Sequence, residues 1–218
     1  MKKTIVPAVI AKSQDELERI LDKIGDHACL IQLDVMDGKF VPNHSLHFDF
    51  QLPQKKFIYE AHLMVDSPDA WIGAFGKKVD TIIVHFESAS FSRKTIRSIK
   101  TKGKKAALAV NPETEIENVF DYLDDLDQVL IMTVNPGFYG SPFLPEVKGK
   151  ISRLRTMKPD LDIEVDGGIA PETIALVNEA GANLFVSGSY LVKSNNLQER
   201  INLLYKIIRD KEMPPETK

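Results

Sequence analysis

The sequence predicts an α/β fold, a single (β/α)8 TIM barrel, and three observations predict it. Short apolar runs alternate with helix-patterned segments from one end of the chain to the other, as strand–helix units around a parallel sheet require. Eight such runs fit into 218 residues, more than the five or six usual in a doubly wound sheet, and no glycine-rich dinucleotide fingerprint follows the first of them. No low-complexity or linker-like stretch divides the chain, so residues 1–212 read as one domain, and the closing "MPPETK" reads as a flexible tail at 213–218.

The strands are expected at residues 4–10, 28–35, 57–63, 81–86, 105–110, 128–133, 162–165 and 184–187, each a short apolar run rich in β-branched residues. The helices between them read as "SQDELERILDKIG", "SPDAWIGAFGK", "SFSRKTIRSIKTKG", "ETEIENVFDYLDD", "LPEVKGKISRLRTMK", "APETIALVNEAG" and "NNLQERINLLYKIIRDK". Several open at Ser or Pro and close at Gly, which satisfies the unpaired groups at helix ends. The second unit is the exception, because "HSLHFDFQLPQKK" offers at most a turn or two of helix.

Composition narrows the function. With 28 basic against 31 acidic residues and a formal charge of −3, the chain has no global positive field to hold nucleic acid or an anionic membrane. No run approaches the roughly 18 apolar residues of a membrane span, and the opening "MKKTIVPAVIAKSQDELER" meets Lys12 and an acidic helix instead of a cleavage site. Cys29 is the single cysteine, which excludes an internal disulfide and a cysteine-based zinc site and makes a reducing cytoplasm the expected location.

In such barrels chemistry gathers where strands end, and the polar residues there form a pattern. Gln32 and Asp34 share one face of the second strand, because alternate side chains point the same way. Asp34 is buried by that placement and needs a cation, a donor network or a substrate to meet it. His62 ends the third strand, His85 the fourth and Asp166 the seventh. Two imidazoles and two carboxylates at one mouth can bind a divalent metal, act as acid and base, or do both. A lone strand-end His is more often a hydrogen-bonded structural residue, so the case rests on four such residues on four strands. Asp37, beside Gly38, reads as a turn former, and His27, His44 and His47, in a helix end or loop, as surface residues.

Glycines mark the loops after the last three strands, in "NPGFYG", "DGG" and "SGS". Backbone without a Cβ can approach an anion closely, and the loops after the seventh and eighth barrel strands are frequent phosphate sites.

With these residues assembled, the chain resembles the ribulose-phosphate 3-epimerase family over essentially its whole length. The motifs "LDVMDGKFVPN", "HLMV", "VHFE", "NPETEIE", "MTVNPGFYGSPFLPEV", "IEVDGGI" and "FVSGS" occur in that family's order and at close to its spacing. The resemblance implies a barrel of the ribulose-phosphate-binding type that inverts carbon 3 of a ketose phosphate, D-ribulose 5-phosphate to D-xylulose 5-phosphate or a relative. It implies Asp34 and Asp166 as the two catalytic carboxylates, and Asp34, His62 and Asp166 as ligands of one divalent ion, Zn, Fe, Mn or Co. Met36, Met64 and Met132 match its methionine cluster beside the reacting carbons. Gly137, Gly140, Gly167, Gly168, Gly188 and Ser189 match its phosphate loops, and His85 falls among the substrate-facing positions. The partners implied are a small sugar phosphate and further copies of the chain in a homo-oligomer, within the pentose phosphate pathway.

Four departures stand out. Gln32 replaces a family histidine ligand, and an amide oxygen suits zinc or iron less well than imidazole does. Ala8 replaces a substrate-contacting serine. Tyr139 and Ser141 replace a glycine and a glutamine in the phosphate loop. The segment between Asn43 and His62 is several residues short. Gln32 motivates an alternative, a non-catalytic or regulatory barrel that keeps the sugar-phosphate site with a degraded metal site. A decarboxylase or hexulose-phosphate aldolase is disfavoured, because the lysine its strand motif needs is absent: the residue two after Asp34 is Met36.

Overall fold

In the computed structural model of the protein, residues 1–53, 57–138 and 140–210 are described; Tyr139 and the tail expected at 213–218 lie outside them. Eight parallel strands run in the order β1 (Thr4–Val9), β2 (Leu30–Asp37), β4 (Ile58–Met64), β5 (Thr81–His85), β6 (Lys105–Val110), β7 (Gln128–Met132), β8 (Asp162–Asp166) and β9 (Leu184–Ser187). Pairing of β9 with β1 and of β1 with β2 closes them into a barrel. Each matches an expected run to within about two residues at its ends, the scatter normal for element boundaries.

The helices are α1 (Gln14–Ile24), α2 (Pro68–Phe75), α3 (Arg93–Thr101), α4 (Lys148–Met157), α5 (Ile174–Ala180), α6 (Ser189–Val192) and α7 (Leu197–Asp210). Ser13 caps α1 through its hydroxyl, which accepts from the Glu16 N–H at 3.2 Å. Gly181, left-handed at φ 112°, ends α5 as a glycine should.

Two expectations are corrected. The expected helix in "ETEIENVFDYLDD" is a 3-10 segment, Ile116–Asp125, in a stretch whose Asn, Asp, Val, Phe and Tyr are weak α-helix formers; Ile116, Val119 and Leu123 still bury toward the barrel. After β2 the chain forms no helix among the described residues. It turns back as the two-residue strand β3 (His44–Ser45), antiparallel to Met36 and Asp37, so His44 lies in a strand and not in a loop.

The main core lies between barrel and helices, where Leu17, Leu21, Ile72, Ile99, Ile151 and Phe185 are fully or almost fully buried. Truncating Phe185 to Ala would cost about 3–5 kcal/mol, the lost transfer energy plus the cavity it leaves. Inside the barrel, Ile83, Ala107, Ala109, Leu130 and Met132 fill one side. Beneath the mouth lies a polar layer: Gln128 Nε2 donates to Glu164 and, at 3.5 Å, to Glu60, and burial pushes both carboxyls above their ordinary range. Two residues further along the same strands, on the same inward face, stand His62 and Asp166.

Candidate active site

Strand register assembles the site. Asp34 lies opposite His62 across the β2–β4 pair, Gln32 opposite Ala8 across β1–β2, and Met132 opposite Asp166 across β7–β8. The end of β8 is fixed by Thr133, a fully buried residue whose N–H and hydroxyl both bond to the Asp166 carbonyl, at 2.7 and 2.9 Å.

Gln32 and His62 are fully buried, and Asp34 and Asp166 are nearly so. Gln32 Nε2 donates to Asp34 Oδ1 and to Asp166 Oδ2, each at 2.7 Å, and joins the two carboxylates. His62 Nδ1 lies 3.4 Å from Asp34 Oδ1, 3.2 Å from Asp166 Oδ2 and 3.4 Å from Gln32 Nε2. Behind His62, its Nε2 meets His85 Nε2 at 2.8 Å, and His85 Nδ1 meets Glu87 Oε2 at 3.2 Å. Glu87 accepts in turn from the Asn111 N–H at 2.9 Å. A proton on His85 Nδ1 facing that carboxylate leaves its Nε2 to accept from His62 Nε2–H, so His62 presents Nδ1 to Asp34 and Asp166, as an N–H when the ring is charged and as a lone pair when it is neutral.

Charge follows from this geometry. Burial works against a proton on His62, but bonding to Asp166 and Asp34 outweighs it and holds the imidazole up at about 9. Burial pushes His85 down to about 4, so it is neutral at physiological pH. Burial, reinforced by the charge of Asp166, raises Asp34 despite its bonds to His62 and Gln32. A proton on His62 thus places positive charge between the two carboxylates.

The same atoms suit a divalent ion. Ligand atoms of Asp34, His62 and Asp166 lie within 4.8 Å of one another. Gln32, whose Nε2 faces all three, carries a buried Oε1 without a hydrogen-bond partner among the described residues, which a turn of the amide would offer as a fourth donor. Two carboxylates, an imidazole lone pair and an amide oxygen are an acceptable donor set for such an ion.

Above the cluster opens a cavity lined by Asp34 and Asp166, by Ala8, Met36, Met64 and Met132, and by Gly137, Gly140, Gly167, Gly168, Gly188 and Ser189, all singled out in the sequence. His85 does not line it. Phe40 covers His85 from the loop after β2, with ring centroids 4.7 Å apart, and the buried His85 supports His62 from behind. Asp37 builds that loop by accepting the N–H groups of Lys39, Phe40 and Asp66 at 2.8–3.0 Å, which holds its carboxyl below the usual range despite partial burial.

The cavity lining also includes Ile10, Val134, Ser141 and Tyr190. Ile10 continues the alternation from Ala8 and was within reach of the sequence; Val134, Tyr190 and the strut Thr133 carried no signal there. The glycine loops are interlocked. Gly167 has φ 112°, and a Cβ on it would lie 2.3 Å from Val134 Cγ2, so only glycine fits. Asn43 Nδ2 donates to the Gly137 carbonyl at 2.9 Å and ties the β2 loop to the β7 loop.

The molecule is thus of the (β/α)8 barrel class, with a buried Asp–His–Asp cluster beneath glycine-rich loops at the mouth. The ribulose-phosphate 3 epimerase family model matches residues 1–192. Ribulose-phosphate 3-epimerase of Bacillus subtilis (strain 168) is 42% identical over 181 residues, covering 79% of this chain and 83% of the relative. Its namesake from Synechocystis is 40% identical over 216 residues, covering 92% and 93%. The chain belongs to the ribulose-phosphate 3-epimerase family, and it is an isomerase acting on carbohydrates. Among solved structures, 3-keto-L-gulonate-6-phosphate decarboxylase from Vibrio cholerae superposes with a TM-score of 0.70 at 14% identity, covering 98% of this chain and all of that one. That likeness is one of fold.

Proposed function

We propose that the chain interconverts D-ribulose 5-phosphate and D-xylulose 5-phosphate by moving a proton at carbon 3. The observation that carries this reading is the pair Asp34 and Asp166, which reach the cavity floor from the ends of different strands and are joined through Gln32. Inverting a carbon beside a ketone needs a base on one face and an acid on the other, in opposite protonation states at each moment. In one direction Asp166 accepts the proton from carbon 3 while Asp34 returns one to the opposite face. The roles reverse for the return reaction.

The methionines give the reacting carbons an apolar bed that excludes water, and the Gly167–Gly168 and Gly188–Ser189 segments offer backbone N–H groups to the phosphate. Asp34, His62 and Asp166 would hold a divalent ion, which supplies, when bound, positive charge against that developing on the sugar oxygens.

The test is conversion of D-ribulose 5-phosphate by purified protein, with and without prior removal of divalent ions. Formation of the xylulose isomer supports the reading. Tight binding of the sugar phosphate with no conversion would replace it by the regulatory alternative that Gln32 suggests.

A further inference from the structure

We infer that Gln32 is a reversible corner of the ion site: without an ion its amide nitrogen bridges Asp34 and Asp166, and on ion binding the amide turns over, presents Oε1, and completes a shell of one nitrogen and three oxygens that discriminates less for Zn2+ against Mn2+ than a two-imidazole shell does. The inference rests on the ion site proposed above, at Asp34, His62 and Asp166.

The spacing of four atoms carries it. Ligands about 2.0–2.2 Å from one ion stand roughly 3.0–3.5 Å from each other. His62 Nδ1 already lies 3.4 and 3.2 Å from the two carboxylate oxygens, and Gln32 Nε2 lies 2.7, 2.7 and 3.4 Å from the three of them. These are four corners of a slightly contracted coordination shell, and the atom at the fourth corner is the wrong one for an ion. An amide nitrogen carries two hydrogens and no usable lone pair, whereas the amide oxygen has two lone pairs and no hydrogen. That oxygen is buried on a fully buried residue and bonds to nothing among the described residues.

The two amide atoms are nearly the same size, so a half-turn exchanges them without moving the chain. Charge alone selects the orientation. Facing two carboxylates, the N–H2 end is attracted and the oxygen repelled; a divalent ion among the carboxylates reverses both signs. Turnover strands the amide hydrogens where Oε1 now has no partner, so the ion is held less tightly than by a ready-made ligand and exchanges readily. Because imidazole suits zinc while carboxylate and carbonyl oxygens suit manganese, one imidazole with three oxygens shifts the preference toward Mn2+ compared with a two-imidazole shell.

The direct test follows the Gln32 side-chain amide in protein labelled with 15N-glutamine as Zn2+, which is diamagnetic, is added. The amide hydrogens, held by two carboxylates at the start, should shift upfield and exchange faster with water once the ion binds. Calorimetric titration with Mn2+ and with Zn2+ then compares the parent with Gln32→Leu and Gln32→His. Loss of at least about tenfold in both affinities for Gln32→Leu, and a rise of about tenfold or more in the Zn2+ to Mn2+ affinity ratio for Gln32→His, support the inference. An amide signal unmoved by bound Zn2+, or a folded Gln32→Leu variant that binds both ions like the parent, overturns it while leaving the Asp34, His62 and Asp166 site standing. A parent that binds neither ion overturns both, and conversion of the pentulose phosphate, assayed separately, then decides whether the epimerase reading survives without an ion.

Discussion

His62 Nε2 lies 2.8 Å from His85 Nε2, and the two rings stack at 23° with centroids 4.9 Å apart. His85 touches neither carboxylate of the pair nor the cavity, yet through Glu87 it decides which nitrogen of His62 faces them. Outer partners of this kind typically change metal affinity about 10- to 100-fold when removed. His85→Phe, which keeps the stack with Phe40, should therefore weaken divalent-ion binding by that factor in a folded protein. His85→Gln can accept from His62 and donate to Glu87, and it should restore most of the loss. Equal ion affinity in parent and His85→Phe, measured by calorimetry, would remove His85 from this role.

Asp166→Asn and Asp34→Asn keep the shape of the pair and an oxygen for Gln32 Nε2, while each removes a group able to take or return a proton. Loss of one general base or acid costs a factor of about 100 to 10,000 in turnover. Rates for both variants, followed by NMR of the pentulose phosphates, should fall within or below that range with little change in thermal midpoint. A variant within threefold of the parent would end the two-carboxylate account.

Gly167→Ala puts a methyl group where Val134 already stands and asks a left-handed conformation of a residue with a Cβ. Gly140→Ala meets the same backbone demand, φ 88°, in open space. The first should raise KM for the sugar phosphate and the inhibition constant of inorganic phosphate several-fold more than the second. Equal effects would indicate that the loop after β8 does not hold the phosphate.

The two imidazoles predict opposite limbs of stability against pH for the ion-free protein. His62 is raised from its ordinary 6.5 to about 9, so its contribution is complete below about 6.5 and is lost as pH rises through 9. His85 is lowered to about 4, so its contribution is complete above about 6.5 and is lost as pH falls through 4. His62→Gln should flatten the alkaline limb and His85→Gln the acid one in denaturant titrations. An ion must also displace the His62 proton, so its binding at pH 7 should release close to one proton, seen as a buffer-dependent enthalpy that fades above pH 9.

Much of this was legible in the sequence, for identifiable reasons. All eight barrel strands were readable because parallel strands buried on both faces appear as continuous apolar runs. Asp34, His62 and Asp166 were readable because each interrupts such a run at its carboxyl end. His85 looks equivalent to His62 along the chain, but the ring that packs on it, Phe40, comes from a loop that is shaped by Asp37 and carries no periodicity. Gln32 was visible as an oddity, but its bond to Asp166 spans 134 positions and depends on barrel closure. The 3-10 form of Ile116–Asp125 was hidden because its apolar spacing of three and four residues suits either helix.

Proton transfer at carbon 3 between two carboxylates leaves an isotopic record, read by following D-ribulose 5-phosphate in deuterium oxide by proton NMR. D-Xylulose 5-phosphate should appear with one deuterium at carbon 3, while the ribulose isomer remaining early in the reaction keeps its proton there, because one carboxylate removes hydrogen from one face and the other returns solvent-derived hydrogen to the opposite face. Xylulose isomer that retains the original proton at carbon 3, or a ribulose pool that gains deuterium there with no xylulose isomer formed, would contradict it.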